Sequence, residues 1–196
     1  MTLLLLTRNR RRWLPYALRC ARYQTYRPTE ILVVADGENV ADLIPPTVRY
    51  LHLPGTRTIG AKRNSGVESA RGELIAHWDD DDFSAPGRLA DQVQRLKESG
   101  KAVTGYRSMR FTDGERWWLY SGASDYALGT SLCYRRTWWE RYRFPESQVG
   151  EDNEFIAPAR AQRQIVTADA GEFMWATIHR ENTSPRVMKG KQWTEL

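Results

Sequence analysis

The chain has 196 residues, 41% of them hydrophobic and 27% charged, with 29 Lys and Arg against 24 Asp and Glu for a formal net charge of +5. That length fits one domain with a sizeable core, and no stretch approaches the roughly 20 apolar residues of a membrane span. Two cysteines, Cys20 and Cys133, make no disulfide framework and read as buried free thiols in a reducing compartment.

In chain order, residues 2–7 read as a short buried strand, and the apolar spacing of Trp13, Leu14, Ala17, Leu18 and Ala21 predicts a helix over 13–24, broken at Arg27-Pro28. Residues 30–35 form a continuous apolar run of strand length, ended by Asp36-Gly37, and residues 48–53 alternate as another strand. A helix is expected over 60–70, a strand over 73–78, and a helix from about 86 to 99 opened by Ser84-Ala85-Pro86. This strand and helix alternation predicts an α/β domain with a largely parallel sheet.

The second half differs. Residues 108–112 and 115–120 flank Asp113-Gly114, a hairpin signal. Further strands are expected at 131–134, 165–168 and 173–178, and helices at 138–142 and 151–163, the latter kinked at Pro158. From Arg180 the chain is polar and basic and is expected to be mobile. No repeat divides the chain, so we expect one domain over 1–196: a nucleotide-binding half (about 1–100), an acceptor-binding half (about 101–180) and a basic tail (about 181–196).

Four consecutive aspartates, Asp79 to Asp82, follow the apolar run Leu74-Ile75-Ala76-His77-Trp78. At roughly 6 Å and an effective dielectric of about 20, two such charges repel by about 3 kcal/mol. A solvated turn tolerates that; the end of a buried strand needs a cation, and hard divalent ions bind carboxylate oxygens. Ligands of open α/β sheets bind beyond the carboxyl ends of the strands. Thr7, Asp36-Gly37 and the aspartates would gather there. No G-x-G-x-x-G and no G-x-x-x-x-G-K-[ST] is present, so a bound nucleotide would meet carboxylates through a metal, with Lys62 and Arg63 adding direct contacts. Glu151 and Asp152 open a helix, where acids suit the dipole, or present a general base. His179 follows a strand and is a candidate third ligand, which favours Mn²⁺ over Mg²⁺.

Together these segments resemble the family-two inverting glycosyltransferases of the GT-A fold. The resemblance runs through Leu5-Leu6-Thr7-Arg8-Asn9-Arg10, Gln24-Thr25-Tyr26-Arg27-Pro28, and Glu30-Ile31-Leu32-Val33-Val34-Ala35-Asp36-Gly37. It continues through Ala61-Lys62-Arg63-Asn64-Ser65-Gly66, Ala70-Arg71-Gly72-Glu73-Leu74-Ile75-Ala76, the aspartate run, Gly129-Thr130-Ser131-Leu132-Cys133-Tyr134-Arg135-Arg136, Gly150-Glu151-Asp152, and His179-Arg180-Glu181-Asn182-Thr183-Ser184. It implies a mostly parallel central sheet flanked by helices, with a small antiparallel hairpin in the second half. It implies transfer of a sugar from a nucleotide-diphosphate sugar, UDP-sugar favoured, with Mn²⁺ or Mg²⁺. Thr7, Asn9, Asp36, Lys62, Arg63, Asp79 and Asp80 would bind the donor; Asp81, Asp79 and His179 would hold the metal. Asp152 would be the general base, supported by Glu151, and Asp82 a neighbour. Two positions depart from the family: Ala35 stands in place of the first aspartate of D-D-G, and Arg8 in place of a common aromatic. The chain is also short for the family, which implies acceptor-side elements that are minimal or supplied by a partner.

The net charge favours an acidic partner: an anionic glycan, a lipid phosphate or a nucleic acid, including a modified DNA base. Arg107, Arg110, Arg116, Trp117 and Trp118 on the hairpin, with Arg136, Trp138 and Trp139, form the candidate acceptor surface. A metal-dependent nucleotidyltransferase and a non-enzymatic nucleic-acid-binding module remain open on the residues alone. The expected location is cytoplasmic, with a peripheral membrane contact compatible.

Overall fold

A computed structural model describes residues 1–27, 30–184 and 187–196. Pro28, expected to break the first helix, lies outside the described residues. The first half lays down β1 (Thr2–Arg8), α1 (Leu14–Arg22), β2 (Glu30–Asp36), β3 (Arg49–Leu53), α2 (Ile59–Ser69), β4 (Leu74–Asp79), β5 (Phe83–Ser84) and α3 (Arg88–Ser99). The second half adds β6 (Val103–Thr112), β7 (Trp117–Ser121), β8 (Cys133–Arg135), α4 (Arg136–Arg141), α5 (Glu151–Ala161), β9 (Ile165–Asp169), β10 (Met174–Thr177) and β11 (Trp193–Glu195).

Among the described residues these eleven strands form one sheet, whose path runs β11-β7-β6-β8-β4-β1-β2-β3. The β4-β1-β2-β3 part is parallel. Helices cover both of its faces, which explains why β1 and β2 read as unbroken apolar runs, whereas the edge strand β3 alternates. Alternate residues of β1 face opposite layers, because the strand period is two. Leu3 and Leu5 pack with Leu14, Ala17, Leu18 and Ala21 of α1 and Leu89, Val93 and Leu96 of α3. Leu4 packs with Val67 of α2 and with Phe155, Ile156 and Ala159 of α5. Burying each such leucine stabilises the fold by about 1.5–3 kcal/mol.

The antiparallel part begins where β8 pairs with β4. β6 is its central strand: it pairs with β7 and β8 antiparallel and with β9 and β10 parallel. A third core of Tyr106, Met109, Phe111, Leu128 and Met174 lies on this half. The expected hairpin is present, but its first strand starts five residues before the expected 108, at Val103.

Two expectations are corrected. The helix expected from residue 86 begins at Arg88, because Phe83–Ser84 pairs with Met174–Trp175 and Ala85 donates its N–H to the Phe173 carbonyl. The tail is not mobile throughout: Trp193–Glu195 pairs with β7, and Trp193 packs its ring against Phe111 and Tyr120. The helix α5 runs through Pro158 to Ala161. No helix among the described residues is long and apolar enough to cross a membrane.

Candidate functional site

The carboxyl ends of β1 and β4 open into a cleft of about 500 Å³. Thr7, Arg8, Asn9 and Arg10 form one part of its wall, Lys62 and Arg63 of α2 another, and Asp79 to Asp82 the floor. Gly129 and Thr130, the start of α5 from Gly150 to Asn153, and the late segment Glu181 to Ser184 complete it.

β1 and β4 are parallel neighbours, with Leu6 level with Asp79. That register carries Thr7 alongside the aspartates, and its hydroxyl donates to Asp80 Oδ2 at 2.6 Å. Asn9 ends the strand in the left-handed region, φ 55°, which asparagine tolerates. Its Oδ1 accepts the Glu38 N–H at 2.8 Å and packs on Gly37, itself at φ +79°, where any Cβ would overlap Asn9. The Asp36-Gly37 turn is therefore locked to the end of β1.

The four aspartates have four different environments. Asp79 is half-buried, and its carboxylate has no hydrogen-bonding partner among the described residues. Asp80 accepts from Thr7 and from Arg10 Nη1, the latter at 2.8 Å. Burial, with the neighbouring Asp81, pushes its pKa up to about 6 against the pull of Arg10 and Thr7. Asp81 Oδ2 accepts from Arg10 at 2.7 Å, His179 Nε2 at 2.9 Å and Asn182 at 3.2 Å. Burial and Asp79 raise its pKa, opposed by Arg10 and His179. Asp82 accepts the Thr130 hydroxyl at 2.7 Å and the Thr177 N–H at 3.1 Å; burial, then Asp81 and Asp79, push its pKa well above the carboxylate range. The raised values of Asp80, Asp81 and Asp82 mean that this part of the floor is buried and short of positive charge.

Oxygen atoms of Asp79, Asp81 and Asp82 lie within 4.8 Å of one another. Three hard oxygen donors converging in a charge-deficient pocket fit a divalent cation. Of the expected metal-site residues, Asp79 and Asp81 stand together with Asp82, and His179 contacts Asp81. The His179 ring is held by stacking on Trp13, centroids 4.7 Å apart, and by the Glu181 N–H on its Nδ1.

Four charged candidates are engaged in two pairs beneath or within the wall. Asp36 is fully buried and does not line the cleft; it accepts from Lys62 Nζ at 2.8 Å and from the Arg57 N–H at 2.8 Å. Its structural position is that of an anchor for Lys62, which does line the cleft. Arg63 Nη1 pairs with Glu151 Oε1 at 2.7 Å, both side chains about 6% exposed. Burial raises the Glu151 pKa, against the pull of Arg63. This buried pair ties α2 to the first turn of α5 and so places the next residue, Asp152, on the cleft wall. Asp152 Oδ1 accepts the Asn153 N–H, and its other oxygen lies against Gly129.

Three residues outside the expected set hold this arrangement. His77 is fully buried, and burial keeps its pKa well below the usual value, so the ring is neutral. Its Nδ1 lies 3.1 Å from the Gly129 carbonyl, which can only accept; Nε2 therefore accepts from the Tyr134 hydroxyl. Arg88, fully buried, donates to the His77 and Thr130 carbonyls and to Ser84 Oγ, with its guanidinium 4.6 Å from the centre of the Trp78 ring. A charged residue on the otherwise buried face of α3 was the signal for it. Arg10 was visible only as part of the T-R-N-R turn.

The acceptor set does not assemble. None of Trp117, Trp118, Arg136 and Trp138 lines the cleft. Trp117 is on β7 and exposed, with its ring edge to Trp175 at 5.7 Å. Trp118 is buried on the other face of that strand, because neighbouring strand residues alternate. Trp138 and Trp139 are core residues of α4, and Arg136 donates to the Ala70 carbonyl and pairs with Glu140. Arg107 pairs with Asp169, and Arg116 with Asp113.

Residues 2–161 match the family description Glycosyl transferase family 2. Among curated proteins, the chain is 33% identical over 93 residues to the succinoglycan biosynthesis protein ExoO of Rhizobium meliloti, spanning 44% of this chain and 27% of ExoO. It is 33% identical over 105 residues to the uncharacterized glycosyltransferase YwdF of Bacillus subtilis, spanning 50% of this chain and 38% of YwdF. The matched parts are thus well under half of those relatives' length. Among solved structures, S. aureus TarS 1–349 in complex with UDP-GlcNAc superposes with a TM-score of 0.76 at 19% identity, over 95% of this chain and 61% of that one. The mannosyltransferase PcManGT of Pyrobaculum calidifontis, in complex with GDP-Man and Mn²⁺, gives 0.67 at 17% identity, over 90% and 56%. The architecture is the GT-A fold, and the chain belongs to glycosyl transferase family 2.

Proposed function

We propose that this chain carries a metal-dependent, inverting glycosyl transfer from a nucleotide-diphosphate sugar, with a UDP-sugar favoured, to an acceptor hydroxyl. The observation that carries the proposal is that two separate acidic elements line one cleft. Asp79, Asp81 and Asp82 converge on the floor, and Asp152 stands on the wall at the start of α5. One is suited to the leaving diphosphate and the other to the incoming hydroxyl.

Asp79, Asp81 and Asp82, with His179 behind Asp81, would hold Mn²⁺ or Mg²⁺, which when bound neutralises charge on the leaving diphosphate. Thr7, Asn9 and Asp80 shape the donor side; Lys62, anchored by Asp36, and Arg63, anchored by Glu151, give it positive charge. Asp152 accepts the proton of the acceptor hydroxyl as that oxygen bonds to the anomeric carbon. The bond from that carbon to the diphosphate oxygen breaks in the same displacement, leaving the nucleoside diphosphate. Attack from the face opposite the leaving group inverts the anomeric centre.

The test is a thermal-shift series with UDP, GDP, CDP and ADP, each with and without Mn²⁺, since a ligand of the native state raises its melting temperature. UDP with Mn²⁺ should give the largest shift. No shift with any diphosphate would sink the donor site. Release of pyrophosphate in place of a nucleoside diphosphate would move the assignment to nucleotidyl transfer.

A further inference from the structure

We infer that Arg10 is a built-in counter-cation of the aspartate floor, and that it exchanges this position for the donor diphosphate when a divalent ion enters, so that ion and nucleotide bind cooperatively. The inference rests on the donor-site reading above.

A single guanidinium nitrogen, Arg10 Nη1, lies 2.8 Å from Asp80 Oδ1 and 2.7 Å from Asp81 Oδ2. The side chain is 15% exposed, and its other terminal nitrogen donates to the Glu181 carbonyl. Asp81 Oδ2 already receives three donors, from Arg10, His179 and Asn182. Ligation of an ion through Oδ2 requires that oxygen to release partners, and the guanidinium, held by Asp80 and Asp81 together, is the partner that a dication beside either oxygen repels. Arg10 therefore competes with the ion for Asp81 when the cleft holds no nucleotide.

The released guanidinium needs another anion. A planar fork suits phosphate oxygens, and Arg10 itself lines the cleft to which the donor-site reading assigns the diphosphate. Each ligand thus removes an obstacle to the other: the nucleotide draws Arg10 off Asp81, and the ion sends Arg10 to the nucleotide. Such coupling is reciprocal by linkage.

The experiment is calorimetric titration of Mn²⁺ alone, of UDP alone, and of Mn²⁺ at saturating UDP. The proteins are wild type, Arg10→Gln, Arg10→Lys and Arg11→Gln. Arg11 shares the loop but pairs with Asp42 and Glu38 on the surface, so it controls for general charge. Arg10→Gln should bind Mn²⁺ alone at least about tenfold more tightly than wild type, and UDP alone more weakly. The factor by which UDP tightens Mn²⁺ should fall at least about tenfold. Arg10→Lys should keep the weak binding of Mn²⁺ alone, because it keeps the charge. Added Mn²⁺ should restore the melting temperature that Arg10→Gln loses, a readout independent of turnover. Equal Mn²⁺ affinity in Arg10→Gln and wild type, or an equal gain in Arg11→Gln, would overturn the inference while leaving the donor site intact. Absence of Mn²⁺ binding in every protein even with UDP would overturn the donor-site reading and the inference with it.

Discussion

Gly129 lies so close to the Asp152 carboxylate that a β-carbon at position 129 would overlap Asp152 Oδ2, Cγ and Cβ. The turn bearing Gly129 is fixed from below by His77 on its own carbonyl and by Arg88 and Asp82 on Thr130, so the turn cannot yield easily. Asp152 is the movable partner. Gly129→Ala should displace the carboxylate by about 1 Å and reduce turnover about 100-fold, with UDP affinity within about twofold of wild type. Single-turnover kinetics beside UDP titration would check it. Retained wild-type turnover would remove Asp152 from the reaction.

Lys62 and Asp36 form a pair almost without solvent, 7% and 0% exposed at their side chains. Removing one partner strands the other charge in a medium that cannot solvate it. Asp36→Ala should destabilise the protein by about 3–5 kcal/mol, measured as a fall in urea midpoint without change in slope. A loss under about 1 kcal/mol, the range of exposed pairs, would show that Lys62 escapes to water.

Asp80 gives a pH dependence of defined sign. Its pKa is raised from the ordinary carboxylate range to about 6 by burial and by Asp81. Between the unfolded value and about 6 the native state therefore holds more protons than the unfolded state, and stability falls as pH rises through that window. Below it the contribution is fully present; above pH about 6 it is lost. Asp80→Asn cannot titrate. The difference in melting temperature, variant minus wild type, should increase from pH about 4 to pH about 6 in ion-free buffer and then level off. A flat difference would contradict the buried, charge-crowded setting of this carboxylate.

Cys133 is fully buried on β8, and burial pushes its thiol up to a pKa of about 12, against the pull of Arg88. Since the thiolate is the reactive form, it should stay unmodified by a disulfide reagent at pH 8 until the protein unfolds in denaturant. Rapid labelling of Cys133 in the native state, read by peptide mass, would count against this packing of β8.

The parallel half was readable because its strands are covered on both faces: an unbroken Leu3 to Leu6 or Ile31 to Val34 signals burial without any knowledge of partners. The start of β6 was not. Val103-Thr104-Gly105-Tyr106-Arg107 has no clean alternation, and its place in the sheet depends on four partner strands that lie elsewhere in the chain. β11 was hidden for a similar reason: a short polar segment becomes a strand only when β7 is beside it. In the site, strand ends and helix starts placed Thr7, Asp79 to Asp82 and Asp152 at one cleft. The pairings of Asp36 with Lys62 and of Arg63 with Glu151 were beyond reach, since Glu151 is 88 residues from Arg63. His77 and Arg88 escaped for the same reason. Their role is carried by contacts to the carbonyls of Gly129 and Thr130, which any sequence provides.

The central position of β6 has a consequence for motion. Its backbone groups are shared among β7, β8, β9 and β10, so opening it would require several ladders to part together. Its amide hydrogens should therefore exchange with deuterium last, near the rate set by global unfolding. The loop of Asn9 to Trp13 and residues Glu181 to Ser184 lie off these ladders and should exchange early. The cleft can then open and close at its rim while the sheet behind it stays intact.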